Sequence, residues 1–120
     1  MKILIVDDEV HVGNLLAESV QLQGHEAIVA RSGKEGLALV EQKHPDVVFL
    51  DIVMPEMNGI EVLRRIREAQ PTLPVIVITG LASSQQLDEA KRLGVTDCIS
   101  KPFVLTRLNQ ALENLKAEGS

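Results

Sequence analysis

Polar side chains able to do chemistry follow four of the five short apolar runs in this 120-residue sequence. They are, in chain order, Asp7 and Asp8 after the first run, Asp51 after the third, Thr79 after the fourth and Lys101 after the fifth. Three carboxylates that share one cleft repel one another, by roughly 4 kcal/mol for a pair about 4 Å apart at an effective dielectric of about 20. They therefore need a cation, and oxygen ligands without His or Cys nearby favour a hard ion such as Mg²⁺.

Two further residues of this set suit an anion. Lys101 offers a fixed positive charge to Asp51 or to an anion on it, and Thr79 offers a hydroxyl to a phosphoryl oxygen. Each of these residues, taken alone, also has a purely structural interpretation. The acidic run 7–9, for example, could complement the dipole of the helix that follows it. Together, the four polar strand ends favour a single site.

The apolar runs have the length of β-strands, and amphipathic stretches separate them. The runs are continuous and rich in β-branched residues, which is typical of parallel strands covered on both faces. They span 3–6, 27–30, 47–50 and 75–78, with 98–100 as a weaker fifth. Five helices are predicted from the shared faces of Leu15, Leu16, Ser19 and Val20; Leu37 and Val40; Ile60, Leu63 and Ile66; Leu87, Ala90 and Leu93; and Leu105, Leu108, Leu112 and Leu115.

Start and stop signals agree with these helices. Three residue pairs have the spacing of an N-cap or capping box, and two glycines fall where the first and fourth helices should end. The pairs are Ser32 with Glu35, Asn58 with Glu61, and Ser83 with Gln86; the glycines are Gly24 and Gly94.

A strand–helix unit repeated five times predicts an α/β fold. Right-handed crossovers place helices on both faces of a parallel sheet, and five strands are too few for a closed eight-stranded barrel. We therefore predict a doubly wound open sheet with strand order 2-1-3-4-5. Ligands of such sheets bind beyond the carboxyl ends of the strands, where the chain order reverses, so the polar strand ends should form one cluster.

The composition excludes several classes of function. A net charge of −5 and a pI of about 5.1 argue against nucleic-acid binding by this domain. The absence of Trp and Tyr leaves little for bases to stack on. No apolar run approaches the roughly 20 residues that span a bilayer, so we expect no membrane segment. The single cysteine, Cys98, excludes an internal disulfide and a CxxC site.

One domain is expected over residues 1–117. The small polar tail 118–120 is the start of a linker, a natural end or a cloning remnant. Because the first apolar run is short and is followed by an acidic run, the amino-terminal segment is unlike a signal peptide. We therefore expect a cytoplasmic protein.

These residues and their spacing resemble the receiver domain of two-component response regulators over residues 2–116. Four motifs at strand ends carry the resemblance: ILIVDDE (3–9), VFLDIVMPEMNG (48–59), ITG (78–80) and KPF (101–103). The resemblance implies a flavodoxin-like (βα)5 fold, and the chemotaxis receiver is a known example of the 2-1-3-4-5 order.

The resemblance also implies a metal site and a phosphoryl acceptor. Asp51 corresponds to the phosphoryl acceptor of the family. Asp8 and Asp51 correspond to direct Mg²⁺ ligands, with Mn²⁺ as an alternative ion. Asp7 then acts largely through water, and the backbone carbonyl of Val53 completes the ligand set.

Four other residues take family roles by the same resemblance. Lys101 corresponds to the ion-pair partner of the acceptor and its phosphate, and Thr79 to the switch hydroxyl that moves to the phosphoryl group. The Lys101–Pro102 peptide is expected to be cis, which X-Pro bonds tolerate at modest cost. Gly59 corresponds to the glycine that lets the loop after Asp51 turn into the third helix.

The implied partners follow from this chemistry. A histidine kinase, a phosphotransfer protein or a small acyl phosphate supplies the phosphoryl group. The face made by the fourth helix, fifth strand and fifth helix then controls a downstream protein or an attached effector domain. A phosphorylation-dependent homodimer is a further arrangement that the family allows.

Cys98 is a departure from the family pattern, which places Tyr or Phe three residues before the conserved lysine. That aromatic side chain normally rotates inward when the threonine moves, and a cysteine is too small to do the same. We interpret Cys98 as a small buried hydrophobic residue. The alternative, a redox sensor, lacks a resolving cysteine.

Two alternative functions compete with the signalling switch. Aspartate-nucleophile phosphatases have a similar nucleophile on a similar sheet, but they carry a second Asp two residues on, where this chain has Val53. They also usually carry a cap domain, for which no residues remain. A receiver-like module that works without phosphate is disfavoured because all five polar strand-end residues are present.

A hydrolase would also need a group that activates water. His25 and His44 precede strands two and three, at the opposite edge of the sheet. Only His11, in the first turn of the first predicted helix, is placed where it could approach the site, and we interpret it as a solvated surface residue. Without a clear general base, and with Val53 and Leu81 placed to shield the phosphate, we expect slow self-dephosphorylation.

A basic cluster on the predicted third helix does not require a binding function. Arg64, Arg65 and Arg67 interleave with Glu61 and Glu68, and the chain is acidic overall. We therefore interpret the cluster as a solvated helix face and not as a nucleic-acid patch.

Overall fold

The structure, a computed structural model, describes residues 1–54, 58–80, 82–100 and 110–115. Its strands are β1 (Lys2–Val6), β2 (Glu26–Ala30), β3 (Val47–Leu50), β4 (Val75–Thr79) and β5 (Asp97–Ser100). Its helices are α1 (Val10–Leu22), α2 (Gly33–Lys43), α3 (Gly59–Ala69) and α4 (Ser84–Arg92). Residues 110–115 are also helical and are called α5.

All four strand pairings are parallel, and the strand order is β2-β1-β3-β4-β5. The predicted doubly wound α/β fold is therefore confirmed. Val6 lies opposite Leu50, and Thr79 lies opposite Ser100, so the strands end at one common edge. This edge is the one at which the polar residues were expected to meet.

Burial explains why the central runs are continuous. β1, β3 and β4 are buried along almost their whole length because helices cover both faces of the sheet. β2 lies at an edge and buries only Ala30 fully. Two core clusters lie on opposite faces. One joins the sheet to residues of α2, α3 and α4, and the other joins it to residues of α1 and α5.

The predicted apolar face of α1 is partly wrong. Leu16 and Val20 are buried as expected, with Gly13 beside them, but the Leu15 side chain is 47% exposed and Ser19 is only half-buried. Successive helical residues are about 100° apart, so Leu15 cannot share the buried stripe that Gly13, Leu16 and Val20 form.

Among the described residues, no helix is long and apolar enough to cross a bilayer.

Helix termini follow the predicted signals with one difference. The Ser32 hydroxyl accepts a hydrogen bond from the Glu35 N–H, and Gly24 and Gly94 adopt positive φ values of 89° and 75° just beyond α1 and α4. Asn58 does cap α3, but its side chain accepts from the Ile60 N–H at 2.9 Å. The side-chain oxygen of an asparagine can accept a hydrogen bond from the backbone N–H two residues later in the chain, an arrangement called an Asx-turn.

The capping box of α4 is complete. The Ser83 hydroxyl accepts from the Gln86 N–H at 3.1 Å, and the Gln86 side chain accepts from the Ser83 N–H at 2.9 Å. Both bonds join residues of the same helix end, so they stabilise α4 without tying it to another element.

Replacing Ser83 by Ala should destabilise the chain. The substitution removes the side-chain acceptor for one helix N–H, and we expect the free energy of unfolding to fall by about 1 kcal/mol. Urea denaturation measures this value. Ser84→Ala is the matched control, because Ser84 is exposed and does not cap the helix. Equal losses in the two variants would contradict the capping role.

Candidate functional site

The ends of β1 and β3 bring three carboxylates together. Because these strands are neighbours in the sheet, Asp7, Asp8 and Asp51 emerge side by side. One carboxylate oxygen from each residue lies within 4.8 Å of the others. Asp7 and Asp51 are 2% and 3% exposed, while Asp8 is half-buried. The predicted acidic cluster therefore exists in the fold.

Backbone hydrogen bonds position the two most buried carboxylates. The Asp51 N–H donates to the carbonyl of Val6, and the Asp7 N–H donates to the carbonyl of Ala30, so both residues continue the ladder of the sheet. The Asp51 Oδ1 atom then accepts from the Val53 N–H at 2.9 Å. In the same way, the Asp7 Oδ1 atom accepts from the Glu9 N–H at 2.9 Å. Each carboxylate is oriented by its own loop.

The alternative role of the acidic run, at the start of α1, finds little support. The first turn of α1 contains no acidic residue, and the Glu9 side chain does not cap the helix. The Asp7 carboxylate instead accepts from the Glu9 N–H before the helix begins. The acidic side chains of residues 7 and 8 join the cluster of carboxylates with Asp51.

The donor set of this cluster fits a hard divalent cation. It consists of carboxylate oxygens from three residues, which are the ligands that Mg²⁺ prefers. Carboxylates this close also repel one another, and a bound cation removes that repulsion. The Val53 carbonyl, the fourth expected ligand, belongs to the loop that follows Asp51, and the Val53 side chain is 39% exposed.

Thr79 ends β4, the strand next to β3, and its side chain is 6% exposed. Within the described part of the chain, its hydroxyl is buried and has no hydrogen-bond partner. A buried polar group without a partner costs about 1–3 kcal/mol. This orphaned hydroxyl at the site edge is suited to an incoming oxygen atom.

Gly59 allows α3 to begin directly against the acidic loop. Its N–H donates to the carbonyl of Ile52, and a Cβ atom at this position would lie 2.1 Å from Ile52 Cα and 2.7 Å from the Asp51 carbonyl oxygen. No side chain fits there. A glycine is needed here because the backbone of Ile52 lies so close to Gly59, and not because Gly59 has a positive φ.

Several predicted residues lie outside the described residues. These are Lys101, Pro102 and the expected cis peptide between them, and also Leu81, Leu105 and Leu108.

Cys98 lies within the described residues. It is half-buried, lies opposite Val77 in the sheet and packs against the core cluster of α2, α3 and α4. This packing favours the interpretation of Cys98 as a small hydrophobic residue, although its burial is incomplete.

Two of the three histidines, His25 and His44, lie at the edge of the sheet opposite the carboxylates, as expected. His11 is exposed on α1, and His44 ends α2 with a φ of 49° at the opposite edge of the sheet. His25 is buried at that opposite edge, where its Nδ1 atom lies 2.9 Å from the amino group of Met1. The structure thus places none of the three histidines in the acidic cluster.

The interpretation of the arginine cluster is right for two residues and wrong for the third. Arg64 and Arg65 are exposed and form ion pairs with Glu61 on the same helix. Arg67 is partly buried and donates hydrogen bonds to backbone carbonyls, among them that of Leu93 at 2.7 Å. Its role depends on residues far along the chain, so charge patterning on α3 could not show it.

Gly59→Ala should destabilise the chain strongly. The added methyl group would overlap backbone atoms that cannot move independently, and we expect the free energy of unfolding to fall by about 3 kcal/mol. Gly13→Ala is the matched control, because its Cβ would meet only a methyl group of Val29 at 3.3 Å. Chemical denaturation that gave equal losses for both variants would contradict the close approach at Gly59.

Asp8→Asn should change stability in opposite directions with and without metal. In a chelator, the neutral side chain relieves repulsion, and we expect stability to rise by about 1 kcal/mol. Added Mg²⁺ should stabilise the unsubstituted chain and stabilise Asp8→Asn much less. Asp88→Asn, an exposed change on α4, is the control. Thermal melts in which Mg²⁺ stabilises all three proteins equally would rule out a metal site at Asp8.

The family model of the response regulator receiver domain matches residues 3–113 of this chain. Regulatory protein AtoC of Escherichia coli K12 is 44% identical over 108 residues, which cover 90% of this chain and 23% of AtoC. Sporulation initiation phosphotransferase F of Bacillus subtilis is 34% identical over 112 residues, which cover 93% of this chain and 90% of that protein. The chain also spans 47% of several transcriptional and response regulators.

A solved structure agrees with these sequence matches. The crystal structure of a CheY-like response regulator receiver domain protein from Methanospirillum hungatei superimposes with a TM-score of 0.93 at 28% identity. The superposition covers 98% of this chain and 95% of that chain. The resemblance drawn from the four motifs is therefore confirmed. The chain belongs to the response regulator receiver domain family, whose members are phosphorylation-dependent signalling switches and not turnover enzymes.

Proposed function

We propose that Asp51 accepts a phosphoryl group while Asp8 and Asp51 hold Mg²⁺, with Asp7 acting through water and the Val53 carbonyl completing the ligand set. One observation carries the proposal: oxygens of the three carboxylates lie within 4.8 Å of one another at adjacent strand ends. Mn²⁺ is an alternative ion for the same ligands. Such a group of ligands fits a phosphoryl acceptor better than it fits a helix cap.

The proposed reaction is a displacement at phosphorus. An Asp51 carboxylate oxygen forms a bond to phosphorus, and the bond from phosphorus to the donor breaks, with its electron pair leaving on the donor. This chemistry needs in-line positioning and charge neutralisation more than it needs a base. The Val53 N–H bond orients the Asp51 carboxylate, and the metal supplies charge neutralisation when bound.

Two residues are proposed to respond to the phosphoryl group on Asp51. The Thr79 hydroxyl moves toward a phosphoryl oxygen, a change that its buried and orphaned state supports. Lys101 pairs with the acceptor and its phosphate, by the family correspondence. The face formed by α4, β5 and α5 then changes its conformational population, as is typical of ligand-driven switches.

The proposed phosphate is long-lived. No histidine lies in the acidic cluster, so activation of an attacking water molecule has no evident base on the described side chains. The Val53 side chain is 39% exposed and, with Leu81, is proposed to limit access of water. A slow loss of phosphate is what a signal needs.

The partners are proposed at the level of class. A histidine kinase or phosphotransfer protein is the donor, with a small acyl phosphate as substitute. Because the chain spans 23% of AtoC and 90% of phosphotransferase F, both an attached effector domain and a separate downstream protein fit the relatives. A phosphorylation-dependent homodimer is a further proposal. The net charge of −5 argues against nucleic-acid binding by this domain itself.

Incubation with Mg²⁺ and acetyl phosphate tests the proposed acceptor. We expect one phosphoryl adduct by intact mass, lost in Asp51→Asn and in a chelator. After removal of the donor, the adduct should persist for minutes or longer, and a half-life of seconds would overturn the proposed shielding.

Asp46→Asn serves as a control at the opposite edge of the sheet, where Asp46 accepts from the Lys2 N–H. It should be phosphorylated as readily as the unsubstituted chain. An adduct that survives in Asp51→Asn, or that forms equally well without metal, would overturn the proposed site.

A further inference from the structure

Two basic residues lie beside the acidic cluster without pairing with it. Arg31 directly follows β2, and Lys34 lies in the first turn of α2. Both residues are exposed, and among the described residues neither forms an ion pair. They are the only described Lys or Arg residues between the ends of β1 to β4 and the first turns of the helices that follow these strands. Together they are called the cationic rim.

The register of the sheet places Arg31 next to Asp7. Val6 is the partner of Ala30 in the pairing of β1 with β2, and the Asp7 N–H continues this ladder by donating to the Ala30 carbonyl at 3.0 Å. β1 lies between β2 and β3, and neighbouring strands are about 4.8 Å apart, so the backbone of Arg31 lies about 10 Å from that of Asp51. This separation is about one Debye length at 0.1 M salt, so the charge of the rim acts on the site.

The local structure of α2 does not explain the rim. Cations at the start of a helix are disfavoured, because the amino end of the helix dipole is positive. The hydroxyl of Ser32 caps α2 by accepting from the Glu35 N–H at 3.1 Å, so the helix end needs neither basic side chain. The other charges of α2 follow the dipole, with Glu35 in the first turn and Lys43 in the last. The two rim charges therefore oppose the electrostatics of their own helix.

The acidic cluster repels an anionic donor. Its three carboxylates exceed the charge of one divalent cation, and the whole chain has a net charge of −5. Glu9 and Glu35 add exposed negative charge at the same edge of the sheet. Positive charges near such a site raise the local concentration of an anionic substrate and its rate of association. The cationic rim supplies such charges one strand beyond Asp7.

We propose that Arg31 and Lys34 determine donor specificity by attracting anionic phosphoryl donors toward Asp51. The inference rests on the proposed phosphorylation of Asp51. The rim takes no part in the bonds that form and break. An Asp51 oxygen still displaces the donor from phosphorus, and the electron pair of the broken bond leaves on the donor. The rim acts on the donor before this transfer.

Two small donors of different charge test the rim. Acetyl phosphate leaves as acetate, and phosphoramidate, which is less negatively charged at neutral pH, leaves as ammonia. Intact mass follows the adduct at saturating Mg²⁺. In a double variant, Arg31→Gln with Lys34→Gln, we expect the second-order rate constant with acetyl phosphate to fall about three- to fivefold at low ionic strength. The rate constant with phosphoramidate should fall less than about twofold.

Salt and a matched control identify the effect as electrostatic and local. The loss with acetyl phosphate should disappear at about 0.5 M NaCl, where the Debye length is about 4 Å. Lys43→Gln removes the same charge from the last turn of α2, at the opposite edge of the sheet, where the Lys43 carbonyl accepts from Lys2 Nζ. It should leave both rate constants unchanged.

Mg²⁺ affinity gives a readout that does not depend on phosphoryl transfer. Positive charges near the cluster repel a cation, so the double variant should bind Mg²⁺ about twofold more tightly in an NMR titration without donor. Weaker Mg²⁺ binding would overturn the role of the rim, because slower transfer would then reflect damage to the metal site.

The outcomes separate the rim from the phosphorylation. An adduct that forms at the same rate in the double variant, that forms equally more slowly with both donors, or whose loss persists in high salt would overturn the rim and leave the proposed function intact. If neither donor gives an adduct on the unsubstituted chain, the proposed function itself fails.

Discussion

The fold keeps three carboxylates together in a space where their charges repel. Their oxygens lie within 4.8 Å of one another, and at that upper limit a pair of charges costs roughly 3 kcal/mol at an effective dielectric of about 20. The sheet offsets this repulsion, because Asp7 and Asp51 directly follow strands that are buried on both faces and extend their hydrogen-bonded ladders. A cation at the cluster relieves the repulsion, so metal binding and the stability of this edge are linked.

α3 connects the acidic loop to the rest of the domain. At its amino end, Gly59 lies so close to Ile52 and to the Asp51 carbonyl that no side chain fits between them. At its other end, Arg67 binds the carbonyl groups that follow α4. The helix between these contacts buries Ile60, Val62, Leu63 and Ile66 in the core. α3 therefore joins the acidic loop at one end of the domain to the carboxyl end of α4 at the other.

Local patterns predicted much of this structure, and long-range proximity accounts for most of what they missed. Continuous β-branched runs and caps such as Ser83 with Gln86 depend on nearby residues, so strands, helix starts and the acidic edge followed from the sequence. The exposure of Leu15 depends on where α1 meets the sheet. The bonds of Arg67 join residues 26 and 27 positions apart, and no pattern within α3 encodes them. Lys101 and the peptide to Pro102 remain predictions.

A crystal structure of the chain with Mg²⁺ and beryllium fluoride, a stable mimic of a phosphoryl group, tests the central claim most directly. The account predicts a metal ion bound by carboxylate oxygens of Asp8 and Asp51, the fluoride group on Asp51, and the Thr79 hydroxyl within hydrogen-bond distance of a fluorine atom. A structure with the metal bound elsewhere, or with the Thr79 hydroxyl unmoved beside an occupied Asp51, would contradict it.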